Sequence, residues 1–138
     1  MLVLDCSVTM AWLFEDEATK YTESVLNALA SGEEAVVPSL WALEVSNVLV
    51  IGERRGRNSQ AQSRGFWETL KALPIEIDEH TAEQASEATL SLAREHDLSI
   101  YDASYLELAS RLSASVATLD KRMSNAAAAC GIPLWKPS

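Results

Sequence analysis

Histidine and cysteine are scarce in this chain of 138 residues, which has two of each. The cysteines, Cys6 and Cys130, lie far apart and form no C-x-x-C pair. This speaks against a disulfide framework or a thiolate metal site, and both are expected to be small buried apolar side chains in a reducing compartment. The histidines, His80 and His96, lack zinc-ligand spacing and are expected on the surface of one helix. No apolar run approaches the roughly 18 residues of a membrane span. The first residues carry no basic segment and meet Asp5 at once, unlike a secretory signal, so a cytoplasmic location is expected. Cations are the last shortage: 11 Lys and Arg stand against 20 Asp and Glu, for a formal charge of -9. A general nucleic-acid coat protein should be basic. An enzyme that meets an anionic substrate through divalent ions remains compatible with that charge.

What is present is ordinary for a globular chain: 48% hydrophobic and 22% charged residues. The length suits one domain over 1–138 with a real core. No repeat, low-complexity tract or linker interrupts it. Short apolar runs alternate with helical segments. LVLD (2–5), AVVP (35–38), IEI (75–77) and ASVATLD (114–120) read as strands, and IPLW is a candidate short fifth. Between them SVTMAWLF, EATKYTESVLNALAS, SLWALEVSNVLVIGERR from a Ser39 cap, SQAQSRGFWETLKAL, the stretch 80–96, SIYDASYLELASRL and KRMSNAAAACG read as helices. Strands separated by helices predict a mostly parallel sheet of four to five strands with helices on both faces, a three-layer α/β/α sandwich. In such sheets ligands sit beyond the carboxyl ends of the strands, at the topological switch point. The first and fourth strands both end on aspartate, Asp5 and Asp120.

Asp102, in the first turn of SIYDASYLELA, joins these two. Each of the three has a plainer reading as a helix cap or dipole partner. Glu44 does not. Leu40, Glu44, Asn47, Val48 and Ile51 fall on one helical stripe whose other members are apolar, so a carboxylate and an amide sit on a face expected to pack toward the sheet. A buried unpaired carboxylate costs several kcal/mol. An arginine, a proton or a metal ion must compensate, and Lys121 and Arg122 are the bases nearest in sequence to an acid of the set. Converging, the acids would make an all-oxygen pocket suited to Mg²⁺ or Mn²⁺ rather than zinc. That chemistry supports hydrolysis of a phosphodiester by a metal-activated water. Ser7 has no histidine to activate it as a nucleophile. Its hydroxyl, the Asn47 amide and the Thr118 hydroxyl are expected as supporting polar groups.

Four pieces, VLDCS, SLWALEVSNVL, LSIYDASYLELA and ATLDKRMSNAA, occur in the order and at the wide intervals of the PIN-domain family, which the chain resembles over nearly its whole length. Within that family the motifs are most similar to VapC-type toxins of bacterial toxin–antitoxin pairs. The resemblance implies a PIN-like fold and an Mg²⁺- or Mn²⁺-dependent endoribonuclease. It further implies a homodimer, held inactive by a cognate antitoxin whose C-terminal segment crosses the active-site groove. Carried onto this chain, it makes Asp5, Glu44, Asp102 and Asp120 the catalytic, metal-holding acids, with Ser7, Asn47 and Thr118 in support.

Four of the bases, Arg54, Arg55, Arg57 and Arg64, crowd into ERRGRNSQAQSR. Their plain reading is a solvated helix connection. By resemblance they lie on an arm beside the groove and hold RNA phosphates. Other readings compete. A dehalogenase-type phosphatase wants an Asp where Ser7 stands, and a receiver domain wants paired acids at the first strand, with Asp78 as its only possible phosphoacceptor. A nuclease that processes RNA outside any toxin pair shares every motif. A non-catalytic binding module would use the helices around Trp12, Trp41 and Trp67 for partner recognition.

Overall fold

The computed structural model describes residues 1–138. Its strands are β1 (Leu2–Leu4), β2 (Ala35–Val37), β3 (Ile75–Ile77) and β4 (Ser115–Ala117). They form one all-parallel sheet in the order β3-β2-β1-β4, with Val3 of β1 opposite Val36 on one side and Val116 on the other. β1 and β2 are buried throughout, whereas the edge strand β3 is not. Central parallel strands are covered on both faces, which is why LVL and AVV run apolar without alternation.

Parallel neighbours need crossovers, and helices supply them. They are α1 (Cys6–Ala11), α2 (Lys20–Ala30), α3 (Trp41–Arg54), α4 (Gln60–Ala72), α5 (Thr81–Gln84), α6 (Ala88–His96), α7 (Ile100–Leu112) and α8 (Lys121–Ala129). A 3-10 turn (Glu15–Glu17) separates α1 from α2. α1 packs against α2 and α3, while α7 lies across β1 and β4 and contacts α5, α6 and α8. The result is the three-layer α/β/α sandwich. β1 leads to β2 on one side, and the chain returns to place β4 on the other. The switch point is therefore the crevice beyond the carboxyl ends of β1 and β4.

Thr19 and Ser59 cap α2 and α4 as reciprocal capping boxes, and the Ser99 hydroxyl caps α7. Four expectations need correction. IPLW forms a single parallel bridge, Leu134 to Val116, in place of a fifth strand. Pro133 and Pro137 flank it and lack the amides a longer ladder requires. Ser39 does not cap α3, because its N–H donates to the Thr81 hydroxyl at 3.0 Å and Leu40 takes the cap position. The stretch 80–96 is two helices, broken at Glu87. The short α5 is pinned to the sheet end through Thr81 and Asp78, while α6 lies along α7. His80 and His96 thus sit on separate helices. His80 is exposed beside Glu83, and His96 is half-buried with Nε2 3.1 Å from Cys130 Sγ. Finally, the buried face of α3 is Trp41, Val45, Leu49 and Gly52. The stripe containing Glu44 is its half-buried flank, and Asn47 is exposed.

Candidate active site

Asp5 follows β1 directly, and its N–H donates to Ala117 O, extending the β1–β4 ladder by one step. It occupies the cap position of α1, yet its side chain makes no capping bond. The carboxylate instead gathers hydroxyls. Ser7 Oγ donates to Oδ2 at 2.6 Å and Thr118 Oγ1 donates to the same oxygen at 2.8 Å. Each hydroxyl is fixed in turn by a backbone amide: Leu119 N donates to Ser7, and Asp120 N donates to Thr118. With its lone pair engaged by an N–H, each hydroxyl is left to give its proton to Asp5. The turn beyond β4 and the start of α1 are thereby tied to one carboxylate that is only 6% exposed.

The other acids arrive from three elements. Glu44, on α3, accepts from the hydroxyl of the fully buried Tyr105 on α7. Asp102 stands in the first turn of α7, where its N–H donates to Ser99 Oγ. Asp120 lies three residues past β4 and caps α8, with Oδ1 accepting from Arg122 N and Met123 N at 2.8 and 3.1 Å. The cap reading therefore holds for the Asp120 side chain and fails for Asp5.

These carboxylates feel one another. Burial raises the Asp5 carboxyl above its ordinary range and the Asp120 charge adds to this, against the opposing bonds from Ser7 and Thr118. Burial also raises Glu44, with further repulsion from Asp5 and Asp102, while the Tyr105 hydroxyl opposes the shift. Asp102 is raised by burial and by the charges of Asp5 and Asp120, with Ser99 and Arg122 pulling the other way. Burial, with Glu44 and Asp5 nearby, pushes the Cys6 thiol and the Tyr105 phenol upward, so both stay neutral at physiological pH. Lys121 and Arg122 form no ion pair with any of the four acids. No three His, Cys, Asp or Glu side chains stand close enough to hold a metal ion entirely by themselves. The acids thus share one field without closing into a cage.

Of the supporting groups, Ser7 and Thr118 meet Asp5, but Asn47 is exposed and makes no hydrogen bond to Glu44. Tyr105 is the partner that sequence reading missed. Its position three residues after Asp102 puts both on one face of α7, the one local mark it leaves in the sequence. The four arginines do not act as one set. Arg57 pairs with Asp16 at 2.9 Å and Glu17 at 3.3 Å, and its guanidinium lies 3.9 Å over the Phe14 ring. Arg54, Arg55 and Arg64 are exposed and unpaired. The tryptophans serve packing. Trp41 is buried, donates to Thr9 Oγ1 and meets Trp67 edge-on, while Trp12 donates to Thr22 O. A cavity of about 450 Å³, lined by Met1, Ala35, Leu73, Ile75 and Leu112, lies at the amino ends of the strands, away from the four acids.

Comparison with known proteins agrees with this fold. The PIN domain family model matches residues 2–129. Ribonuclease VapC3 of Pyrobaculum aerophilum is 30% identical over 126 residues, covering 88% of this chain and 91% of that protein. Among solved structures, Mycobacterium tuberculosis VapC20, a sarcin–ricin-loop-cleaving toxin, superposes with a TM-score of 0.68 at 14% identity, over 99% of this chain and 100% of that one. VapBC2 of Rickettsia felis, bound to a DNA fragment from its promoter, gives 0.67 at 13% identity over 97% and 96%. The chain belongs to the PIN-domain family.

Proposed function

We propose that this chain is a metal-dependent endoribonuclease and the toxin of a toxin–antitoxin pair. One observation carries the enzymatic part: Asp5, Glu44 and Asp102, from a strand end and two helices, are raised by burial and by neighbouring carboxylates that include Asp120, and no arginine or lysine forms an ion pair with any of the four. Such an arrangement destabilises the fold unless a cation completes it. The donors are all oxygen, and a hard ion that keeps several waters and takes only one or two carboxylates suits acids that do not close into a cage. Asp5, Glu44, Asp102 and Asp120 would hold Mg²⁺ or Mn²⁺. When bound, the ion lowers the pKa of a water and stabilises charge on the phosphate.

The residues of the chain then have distinct tasks. Ser7 and Thr118 fix the rotamer of Asp5 and oppose the upward shift that burial imposes on its carboxyl. Ser7 is no nucleophile, because its proton is directed at Asp5 and no histidine stands near it. Tyr105 orients Glu44 from the buried side. Arg54 and Arg55, free of internal partners, supply cations for RNA phosphates on a chain that is otherwise acidic. The toxin role rests on the relatives' names and on the toxin–antitoxin complexes among the structural neighbours. A cognate antitoxin, a homodimer and a cytoplasmic location belong to the same reading.

The test is to sequence the RNA ends released by the purified chain with Mg²⁺ or Mn²⁺, beside EDTA and Asp5→Asn controls. Defined ends that disappear in both controls are expected, and cleavage that survives in Asp5→Asn overturns the assignment. A small upstream gene for a DNA-binding antitoxin separates the toxin from an RNA-processing enzyme. Replacing Arg54 and Arg55 together with Ala should reduce the salt slope of RNA binding by about 1.4, at roughly 0.7 per single-strand phosphate contact.

A further inference from the structure

On the β4 side of the acids lies a second cavity of about 390 Å³, within the size range of small-molecule sites. Tyr21, Thr118, Leu119, Leu134, Trp135 and Lys136 line it. Thr118 also belongs to the acid cluster, since its hydroxyl donates to Asp5. The far wall is built rather than loose. Trp135 N donates to Val116 O at 2.8 Å, Tyr21 Oη donates to Trp135 O at 2.9 Å, and the two rings meet edge-on with centroids 6.0 Å apart. Leu119 and Leu134 are each 38% exposed, so apolar surface stands open beside the most charged part of the protein.

An RNA strand offers three chemistries: an anionic phosphate, a polar sugar and a base with flat, weakly polar faces. The acids and their ion take the first. The Thr118 hydroxyl is already engaged by Asp5 and by Asp120 N, so what remains of the cavity wall is aliphatic and aromatic, with one cation, Lys136. That composition selects the base. We propose that this cavity is a nucleobase subsite, in which the base of a nucleotide next to the scissile phosphate packs among Leu119, Leu134 and Trp135 while Lys136 meets a neighbouring phosphate. The proposal rests on the nuclease reading and adds to it the side of the scissile bond on which a base is felt.

The test uses the full chain with Mn²⁺ and a short RNA spanning a mapped cleavage position. One set of oligonucleotides carries a single abasic nucleotide on either side of the cleaved bond, and another carries 2-aminopurine there. For the wild type, the abasic nucleotide should lower kcat/KM about 5- to 150-fold on one side, the range expected for one lost stacking contact, and less than about twofold on the other. Leu119→Ala and Trp135→Ala should lower kcat/KM on intact RNA and lose little more with the abasic one. The 2-aminopurine signal should fall on mixing, before cleavage, with the wild type and with Trp135→Phe, and much less with Trp135→Ala. Leu119 is partly exposed, so its truncation leaves a folded protein should Trp135→Ala release the tail. Equal abasic penalties in the wild type and Leu119→Ala, or cleavage indifferent to the abasic nucleotide, overturn the subsite alone. No metal-dependent cleavage of any RNA overturns the nuclease reading and the subsite with it.

Discussion

Two groups of acids sit on this fold, and they are held in opposite ways. Near the end of β3, Asp78 receives a two-pronged contact from Arg111, at 3.0 and 2.8 Å, and a third bond from Thr81. The same guanidinium bonds Glu107 twice, both at 2.9 Å. The Asp78 and Glu107 side chains are each 6% exposed. Arg111 holds the Asp78 carboxyl below its usual range, and Glu107 and Asp78 in turn raise Arg111. At the β1–β4 crevice, Asp5, Glu44 and Asp102 are shifted the other way and have hydroxyls and each other for company. Loss of water bears on both groups, fully at Asp5, Asp78 and Glu107 and in part at Glu44 and Asp102, and the difference is an arginine. The first group joins β3, α5 and α7. The second places negative charge with no cation of the chain paired to it, a local cost of the kind functional sites carry.

Removing the arginine should erase that contrast with the largest effect. Arg111→Met leaves two buried carboxylates uncompensated and is expected to cost about 3–5 kcal/mol in urea unfolding. Asp78→Asn on top of it should recover part of the loss. Asp5→Asn acts in the opposite sense. It removes the most buried repelling charge and should raise stability by about 1 kcal/mol while ending cleavage, read by thermal unfolding in EDTA beside the RNA assay. Tyr105→Phe should cost about 1 kcal/mol or less in the same unfolding assay, because the half-buried Glu44 regains water in place of the hydroxyl.

The pH dependence sharpens the comparison further. Acids raised in the folded state bind protons more tightly there than in the unfolded chain. Without metal, stability should therefore increase as pH falls from neutral through their raised range. Asp78, lowered in the folded state, contributes stability above the ordinary carboxylate range near pH 4, and that share is lost as pH falls through its depressed value. Metal-free thermal scans should show maximum stability in mild acid. Mg²⁺ should stabilise more at neutral pH than at the maximum, and Asp5→Asn should flatten the neutral limb.

Much of the fold, and the contacts of part of the candidate site, could be read from sequence. Strand runs are local, so β1 to β3 leave clear marks, whereas Ser39, read from sequence as a helix cap, is drawn instead to Thr81, 42 residues away. An acid just past a strand in a parallel sheet is also local, and it located Asp5. The misreadings share a cause. In a helix as apolar as α3, periodicity does not settle which of two adjacent stripes faces the core, and Gly52, lacking a side chain, hid the true one. A methyl there would strike the Asn58 amide oxygen, so the residue that looks polar-neutral in sequence is a packing contact. Arg111 is 33 residues from Asp78, and Arg57 is 41 from Asp16, separations at which no spacing rule applies. The Tyr105 bond to Glu44 spans 61 and escaped for the same reason.

The hydroxyl of Thr118 reaches Asp5 across 113 positions of sequence. In a chain that folds as it is made, the first strand can pair with the second early, but its other flank has no partner until the fourth strand is available. The nascent chain therefore carries an incomplete acid pocket for most of its translation. The hydroxyl-ordered carboxylate is thus a property of the complete fold, and no fragment that stops short of the fourth strand can hold Asp5 in this way.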